Sequence, residues 1–418
     1  MTPRSRAEIF LKKLVDSPSP TSRQNEVRIA HSLLALELQS LGFQISWKQD
    51  PSGKTADLLI AERPGRKTGD QAYITFVSHI DTVLGAEDSG AIREIVRIDD
   101  KGQSRDFLLG AGIIDNKGGL AILVESLRLL FERNPTTELG FRVVSSPDEE
   151  NGSSAWHKDF QEIGNRSCAA LGFEPALDDG SIISSRRGNR WYDVDIAGKE
   201  AHAGRCRGEE LNAAHEAANL ISKLLQKRDL LRAKFASPPG LGISIQVGHI
   251  EGGRDRHNIV CGNVHFKLDT RFSSFEQRDQ LHSSIVEILN SPSEKNLQLQ
   301  SSAISYNVVD DCPPFSSESI QIHRDLVSEL CLEISAQEKH FRDKSSPVLP
   351  ILSVQAGGAG DVNHMSRPGL LVLDGLGPIG GKMHTADEFL LRESLTSRSR
   401  ALANWYPKLL ASLSGNGN

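Results

Sequence analysis

The sequence lacks an excess of basic charge and a long apolar run. Its formal net charge is −6 over 418 residues. Because binding to phosphates needs a clustered basic surface, this charge argues against nucleic acid as the main partner. No run approaches the roughly 20 apolar residues of a membrane span, so no membrane association is expected. The segment 1–6 leads into an amphipathic stretch and not into the apolar core of a signal peptide.

The chain is also poor in cysteine, with five scattered residues and no Cys-x-x-Cys pair. This number and spacing fit free thiols in a reducing compartment, and exclude a disulfide framework or a structural zinc site of the paired-cysteine type. We therefore expect a cytoplasmic protein. The cysteines are Cys168, Cys206, Cys261, Cys312 and Cys331.

The length predicts two domains. Apolar strands alternate with helices up to residue 187 and again from 310, which favours an α/β domain whose mainly parallel central sheet is flanked by helices. Residues 85–108 form a long polar segment with no predicted element. Between 188 and 309 the strands alternate polar and apolar side chains, which predicts an inserted smaller α+β domain. The expected domains are therefore 1–187 with 310–418, and 188–309.

His79 and Asp81 follow the apolar run 72–77, which reads as a buried strand. Residues two apart on a strand share a face, so both side chains would project from its carboxyl end. Ligands of open α/β sheets bind at that end. A carboxylate beside an imidazole can orient it for a metal. Taken alone, a His and an Asp at the end of a strand are more often a hydrogen-bonded surface pair.

Further acidic and imidazole residues follow other predicted strands and turns, and each has a plain structural interpretation. Asp115 suits a helix N-cap, Glu149 and Glu150 suit an exposed acidic loop, and His384 suits an ordinary surface position. Glu174, between Phe173 and Pro175 at the end of an apolar strand, is an unfavourable place for an unpaired charge. Together these residues supply what a two-zinc hydrolytic site needs, because carboxylates bridge divalent ions and imidazole suits zinc.

Several motifs of chemically active residues and glycines follow one another along nearly the whole chain. They are His79-x-Asp81, Gly112-x-x-Asp115-x-Lys117-Gly118-Gly119, Asp148-Glu149-Glu150-x-Gly152-Ser153, Glu174-Pro175-Ala176, Gly198-Lys199-Glu200-Ala201-His202-Ala203-Gly204, Gly252-Gly253 before Asn258-Ile259-Val260, Asp269-x-Arg271, and His384-Thr385-x-x-Glu388. In these motifs and their order the chain resembles the dinuclear-zinc exopeptidase and aminoacylase family. The segment Leu373-Asp374-Gly375-Leu376-Gly377-Pro378-Ile379-Gly380-Gly381, ahead of His384, looks most like the glutamate carboxypeptidase branch of that family.

The resemblance implies a role for each site residue. Asp115 would bridge two Zn²⁺ ions per chain, for which Co²⁺ or Mn²⁺ are alternatives. His79 and Glu174 would complete one ion's ligands, and Glu150 and His384 the other's. Asp81 would orient His79, and Glu149 would be the general base acting on a zinc-bridging hydroxide. The peptide bond after the bridging aspartate is often cis in this family.

In the inserted domain the resemblance implies that His202 polarises the scissile carbonyl, within its own subunit or across a dimer. Asn258 and Arg271 would hold substrate, with Arg271 suited to a free carboxylate; an ordinary exposed arginine is the alternative. Gly358 and Gly380 would line the carboxylate end of the pocket.

The implied activity is hydrolysis of the amide bond of a C-terminal residue in short peptides, or of an N-acyl amino acid. The alternatives are a biosynthetic deacylase of the acetylornithine or succinyl-diaminopimelate type, and a non-catalytic relative that binds peptides. The expected partners are a small peptide or N-acyl amino acid and a second copy of the chain, joined through the inserted domain.

Overall fold

A computed structural model describes residues 4–69, 71–85, 87, 92–98, 104–206, 211–236, 242–291, 303–316, 321–339, 341, 350–351 and 360–415. The contacts divide the chain into two compact units. Unit 1 comprises Met1–Ser185 and Ser316–Asn418, and unit 2 comprises Arg186–Phe315. Each unit has its own apolar core. Among the described residues, no helix combines the length and apolar character needed to cross a membrane.

The helices and strands are numbered in chain order. The helices are α1 (Arg6–Val15), α2 (Gln24–Ser40), α3 (Lys117–Arg133), α4 (His157–Asn165), α5 (Ala213–Phe235), α6 (Phe275–Leu289), α7 (Gln321–Glu338), α8 (Asp361–His364) and α9 (Arg392–Ser414). The strands are β1 (Gln44–Lys48), β2 (Leu58–Arg63), β3 (Tyr73–His79), β4 (Arg93–Ile98), β5 (Ser104–Leu109), β6 (Gly140–Ser146), β7 (Ser167–Gly172), β8 (Ile182–Ile183), β9 (Ser185–Arg186), β10 (Gly188–Ala197), β11 (Ser244–Gly252), β12 (Asn263–Phe272), β13 (Ile304–Cys312), β14 (Phe315–Ser316), β15 (Pro350–Ile351), β16 (Leu371–Leu373), β17 (Gly380–Gly381) and β18 (Phe389–Leu391).

The main sheet of unit 1 has six strands in the order β1-β2-β6-β3-β7-β16. The strands β6, β3, β7 and β16 are parallel, and β2 and β1 continue the sheet antiparallel. All seven residues of β6 are buried, as expected for a strand with both faces covered. This arrangement confirms the predicted mainly parallel sheet. His79 ends β3 opposite Ser146 of β6, at the carboxyl edge of the parallel strands.

A second sheet of unit 1, ordered β17-β18-β5-β4, was missed by the sequence interpretation. The reading of 85–108 as a polar segment without an element was wrong, since β4 and most of β5 lie in it. Both strands are rich in charged residues, and in β5 only Leu108 and Leu109 are buried, so no continuous apolar run marks them. This sheet fixes the segment after His384, because Leu390 pairs with both Gly380 and Leu108.

Unit 2 is a four-stranded antiparallel sheet, ordered β11-β12-β10-β13, with helices α5 and α6. Alternate residues of β10 point into its core, among them Tyr192, Val194 and Ile196. This confirms the predicted inserted α+β fold, although β13 was not predicted. Only Cys312 of this strand is buried, and the apolar Val308 and Val309 are exposed, so no regular alternation marks the strand in the sequence.

Candidate metal centre

His79 and Asp81 form a buried hydrogen-bonded pair at the end of β3. The side chains of both are fully buried. Nδ1 of His79 lies 3.2 Å from Asp81 Oδ1 and 3.1 Å from the Asp81 carbonyl oxygen. With its Nδ1–H donated to Asp81, the imidazole directs Nε2 towards Asp115, whose Oδ1 lies 3.0 Å away. The interpretation as a surface pair is therefore wrong for these two residues.

Asp81 also binds the backbone of the turn that carries Glu149 and Glu150, and no pattern in the sequence indicated these contacts. Its Oδ1 accepts the backbone N–H of Glu149 at 3.1 Å, and its Oδ2 accepts that of Glu150 at 3.3 Å. The Thr21 hydroxyl donates to Oδ2 at 2.7 Å. Asp81 thus orients the ring of His79 and the turn that carries the two glutamates at the same time.

Asp115 lies between the two imidazoles. Its Oδ1 faces His79, and its Oδ2 is 3.2 Å from Nε2 of His384. The Asp115–Asn116 peptide bond is cis. Directly after it, Gly119 in the first turn of α3 has no room for a side chain, because a Cβ would overlap the carbonyl oxygen of Phe173. This close approach brings the start of α3 against the end of the segment that carries Glu174.

The two remaining predicted ligands lie at opposite ends of the group. Glu150 Oε2 is 3.1 Å from His384 Nε2, and Glu174 Oε1 is 3.6 Å from His79 Nε2. The five residues therefore form a continuous row, Glu174, His79, Asp115, His384 and Glu150. Ligand atoms of His79, Asp115 and Glu150 all lie within 4.8 Å of one another, close enough to share an ion.

Burial and mutual repulsion disturb the titration of these groups. Burial raises the pKa of Glu150 to about 7 and that of Glu174 well above its usual range, in each case against the opposing charge of His79. The hydrogen bond with Asp115 raises the pKa of His384 to about 9. Burial alone would lower the pKa of His79, but the charge of Glu174 and the hydrogen bonds with Asp115 and Asp81 outweigh it and raise the pKa well above the usual value.

The donor set fits divalent metal ions. Two imidazoles and three carboxylates are ligands that zinc and similar ions accept. Glu150 Oε1 is buried and has no hydrogen-bond partner in the part of the chain that the structure describes. An unpaired buried carboxylate oxygen is costly unless a cation or a donor reaches it. The row of ligands therefore presents an acceptor that a metal ion would satisfy.

Glu149 and Glu150 occupy a 3₁₀ turn, Glu149–Asn151, closed by Gly152 at φ 87°. The carboxylate of Glu150 faces His384. Burial raises the pKa of Glu149 well above its usual range. The charge of His79 opposes this shift, and the charge of Asp361 adds to it. Adjacent glutamates thus lie in different surroundings, as a metal ligand and a proton acceptor require.

In unit 2, two of the predicted site residues, His202 and Asn258, lie next to each other. His202 Nδ1 accepts the N–H of Gly204 at 3.2 Å and so begins the turn Ala203–Arg205. Its Nε2 lies 3.4 Å from the side-chain nitrogen of Asn258. The backbones are also joined, because Ala203 N–H donates to the Asn258 carbonyl at 2.9 Å.

The guanidinium of Arg271 already has a carboxylate partner within the protein, whereas a simple clamp for a substrate carboxylate would have none. Its guanidinium is paired with Asp269, at 2.8 Å from Nη2 and 2.9 Å from Nε. Trp191 Nε1 donates to the same carboxylate at 2.8 Å. The sequence did indicate the pairing of Arg271 with Asp269, because residues two apart on a strand share a face.

The last two predicted residues are glycines. Gly380 begins β17, where a Cβ would overlap the carbonyl oxygen of Phe389 on the paired strand. Gly358 lies outside the described residues.

The fold and the site together define an α/β protein with a candidate two-ion metal centre and an inserted α+β domain. The M20-type peptidase dimerisation domain matches residues 184–296. Carboxypeptidase G2 of Pseudomonas sp. (strain RS-16) is 28% identical over 220 residues, which are 52% of this chain and 51% of the relative. The chain thus spans about half the length of that relative. The chain is therefore similar to M20-type peptidases in its inserted domain and to carboxypeptidase G2 in sequence.

Two solved structures show the same fold over nearly the whole chain. Aminopeptidase PepT from Bacillus cereus ATCC 10987 has a TM-score of 0.66 at 21% identity, covering 98% of each chain. The M20 family metallo-carboxypeptidase Sso-CP2 from Sulfolobus solfataricus has a TM-score of 0.63 at 13% identity, covering 97% of this chain and 100% of the other. The family resemblance inferred from the motifs is confirmed.

Proposed function

We propose that the protein is a metal-dependent hydrolase that cleaves the amide bond of a C-terminal residue in short peptides, or of an N-acyl amino acid. The row of ligands from Glu174 to Glu150, with Glu149 beside it, is the observation that carries this proposal. The names of the Pseudomonas relative and of both solved structures, all peptidases, support it.

The metal would be two Zn²⁺ ions per chain, with Co²⁺ or Mn²⁺ as alternatives. His79, Asp115 and Glu174 would hold one ion, and His384, Asp115 and Glu150 the other. Bound there, the ions would supply Lewis acidity at the scissile carbonyl and lower the pKa of the attacking water. In this proposal Glu149 accepts the proton of that water and passes it to the leaving amine, as a buried carboxylate of raised pKa is suited to do.

Unit 1 would be the catalytic domain and unit 2 the lid and dimerisation domain. The match of residues 184–296 to a peptidase dimerisation domain supports a homodimer formed through unit 2. His202 would stabilise the oxyanion, and Asn258 and Arg271 would hold the substrate, with Gly380 and Gly358 lining its carboxylate end. All five cysteines are free thiols, which is consistent with the cytoplasmic location that we propose.

A substrate panel on zinc-loaded protein tests the proposal. The panel contains dipeptides and tripeptides, N-acyl amino acids of several acyl groups, and carboxyl-amidated versions of each. Hydrolysis of peptides or general N-acyl amino acids at the C-terminal amide is the expected result. Turnover confined to N-acetylornithine or N-succinyl-diaminopimelate would establish the biosynthetic deacylase instead. A protein that binds two metal ions and peptides but hydrolyses none of these compounds would be a non-catalytic relative.

The variant Glu149→Gln tests the assignment of the base. Since general-base assistance is worth about 10²–10⁴-fold, kcat should fall by that factor while two metal ions remain bound. Glu162→Gln, the same change at an exposed position on α4, is the control and should leave kcat unchanged. If Glu149→Gln turned over like the parent, another group would be the base.

A further inference from the structure

Glu388 is a buried carboxylate that binds the backbone of the segment leading to Asp115. Its exposed fraction is 2%. Oε2 accepts the N–H of Gly112 at 2.9 Å, and Oε1 accepts those of Ile114 at 2.8 Å and Asp115 at 3.0 Å. One side chain therefore satisfies three backbone donors within four consecutive residues. The last of these donors belongs to the residue between the two imidazoles.

The main chain of Glu388 strengthens the same connection. Its carbonyl oxygen accepts the N–H of Gly110 at 3.2 Å, and its N–H donates to the carbonyl of Thr385 at 3.1 Å. Since Thr385 directly follows His384, the two segments that carry Asp115 and His384 meet at this one residue. The backbone of His384 is unusual for a non-glycine residue, with φ of 64°, and the segment needs outside support to hold that conformation.

The carboxyl group of Glu388 is well supplied with hydrogen-bond donors, since both of its oxygens accept backbone N–H groups. The buried ammonium group of Lys117, in the first turn of α3, donates to the carbonyl of Ser17 at 3.0 Å. A buried carboxyl group that accepts three N–H groups can define the path of the chain around it.

A second ligand-bearing turn is held in the same manner. Asp374, fully buried, accepts the N–H of Glu174 at 3.3 Å and that of Gly375 at 2.9 Å. Glu388 is the stronger case, because it has three such bonds and touches the residue shared by both proposed ions.

We propose that Glu388 is a positioning residue that holds Asp115 and His384 in register, and that the ion held by Asp115, His384 and Glu150 depends on it. This inference rests on the proposed two-ion centre. His384 has a half-exposed side chain, at 51%, whereas that of His79 is fully buried and held by Asp81. Disturbing the segment from Gly110 to Asp115 should therefore loosen the ion at His384 and leave the ion at His79 in place.

The test is Glu388→Gln, which keeps the shape but replaces one acceptor oxygen with an NH₂ donor. At least one of the three N–H groups then loses its acceptor. Residues that support metal ligands typically contribute 10–100-fold in affinity, so the weaker of two Zn²⁺ dissociation constants should rise by about that factor. Calorimetric titration of the metal-free protein with Zn²⁺ alone measures both constants without reference to activity.

Asp50→Asn is a matched control. Asp50 also accepts three backbone N–H groups, from Ser52, Lys54 and Thr55 at 2.8–3.1 Å, but within its own loop between β1 and β2. It should lower the unfolding midpoint measured in EDTA while leaving both Zn²⁺ constants unchanged. A merely structural role for Glu388 would give the same pattern as this control.

The outcomes separate the two proposals. Two unchanged Zn²⁺ constants in Glu388→Gln would overturn the role of Glu388 and leave the proposed function standing. A parent protein that binds fewer than two ions would overturn the two-ion centre itself. If Glu388→Gln does not fold, Glu388→Asp takes its place: the shorter side chain keeps the charge but cannot reach all three donors, and parent-like binding of both ions would again refute the proposal.

Discussion

The hydroxyl of Thr21 should matter to metal binding, although it lies in a short segment between α1 and α2, far in sequence from every ligand. It donates the shortest of the hydrogen bonds to the Asp81 carboxylate, at 2.7 Å to Oδ2. Among the described residues, the other donor to that oxygen is the Glu150 N–H, at 3.3 Å. The variant Thr21→Val removes the hydroxyl and preserves the shape of the side chain. Asp81 would then be free to tilt, and with it the imidazole of His79.

The hydrogen bond from Thr21 to Asp81 determines the expected loss of stability and of metal affinity. A hydrogen bond to a charged group is worth about 1.5–3 kcal/mol, so the free energy of unfolding of the metal-free protein should fall by about that amount. Because Asp81 also orients His79, we expect the Zn²⁺ dissociation constant of the site at His79 to rise by about tenfold or more. Urea unfolding in EDTA measures the first effect, and calorimetric titration with Zn²⁺ measures the second.

Thr75→Val is the matched control for this experiment. Thr75 is buried in β3 and bonds Ser167 Oγ at 2.7 Å, with no contact to a predicted ligand. Loss of this neutral hydrogen bond should cost about 0.5–1.5 kcal/mol of stability and leave zinc affinity unchanged. If the two variants bind zinc equally well, whatever their stabilities, the hydroxyl of Thr21 does not support the metal centre.

Three further predictions concern the substrate, the core and the metal. Arg271→Ala should raise KM for substrates with a free carboxylate, measured by steady-state kinetics; an equal loss on the carboxyl-amidated substrate would count against the clamp. Burial lowers the pKa of His31 to about 3 from its usual 6.5. Between pH 6.5 and 3, the unfolded chain binds a proton at His31 and the folded protein does not. The free energy of unfolding is therefore highest above pH 6.5 and falls as the pH drops towards 3. Between pH 7.5 and 5 this loss amounts to about 2 kcal/mol, and His31→Gln should remove it from urea unfolding curves recorded in EDTA; unchanged pH dependence would contradict it. Removal of metal by a chelator should abolish turnover and Zn²⁺ should restore it; full activity after removal would refute metal dependence.

Two of the proposed metal ligands could be predicted from the sequence pattern because strand ends mark their places. His79 follows an apolar run, and Glu174 follows another, so the parallel arrangement of β3 and β7 brings both to one edge of the sheet. Asp115 and His384 lie in turns with no such marker, and only the order of motifs placed them beside His79. Local pattern and family resemblance thus supplied different members of one row.

The residues that support the ligands could not be predicted in the same way. Thr21, Asp374 and Glu388 act on backbone N–H groups or on a carboxylate distant in sequence, and such pairings leave no periodic pattern. Glu388 belonged to a recognised motif, yet its partners lie more than 270 positions away. The sheet formed by β4, β5, β17 and β18 escaped prediction for a related reason, since its strands are short or largely polar.

The pairing of Arg271 with Asp269 is a different kind of omission. Both residues were part of one motif, and their spacing on β12 places them on one face. The structure adds Trp191 as a third member, from the neighbouring strand β10. The guanidinium of Arg271 is therefore already oriented by a carboxylate and is not a freely moving side chain.

In the proposed metal centre, five residues of unit 1 hold two metal ions around Asp115. X-ray absorption at the zinc edge, on protein loaded with two equivalents of Zn²⁺, is the most direct test of this arrangement. We expect nitrogen and oxygen ligands, no sulfur, and a zinc–zinc distance of about 3.5–4 Å. Protein that retains only one ion, or two ions without a zinc–zinc distance in that range, would contradict it.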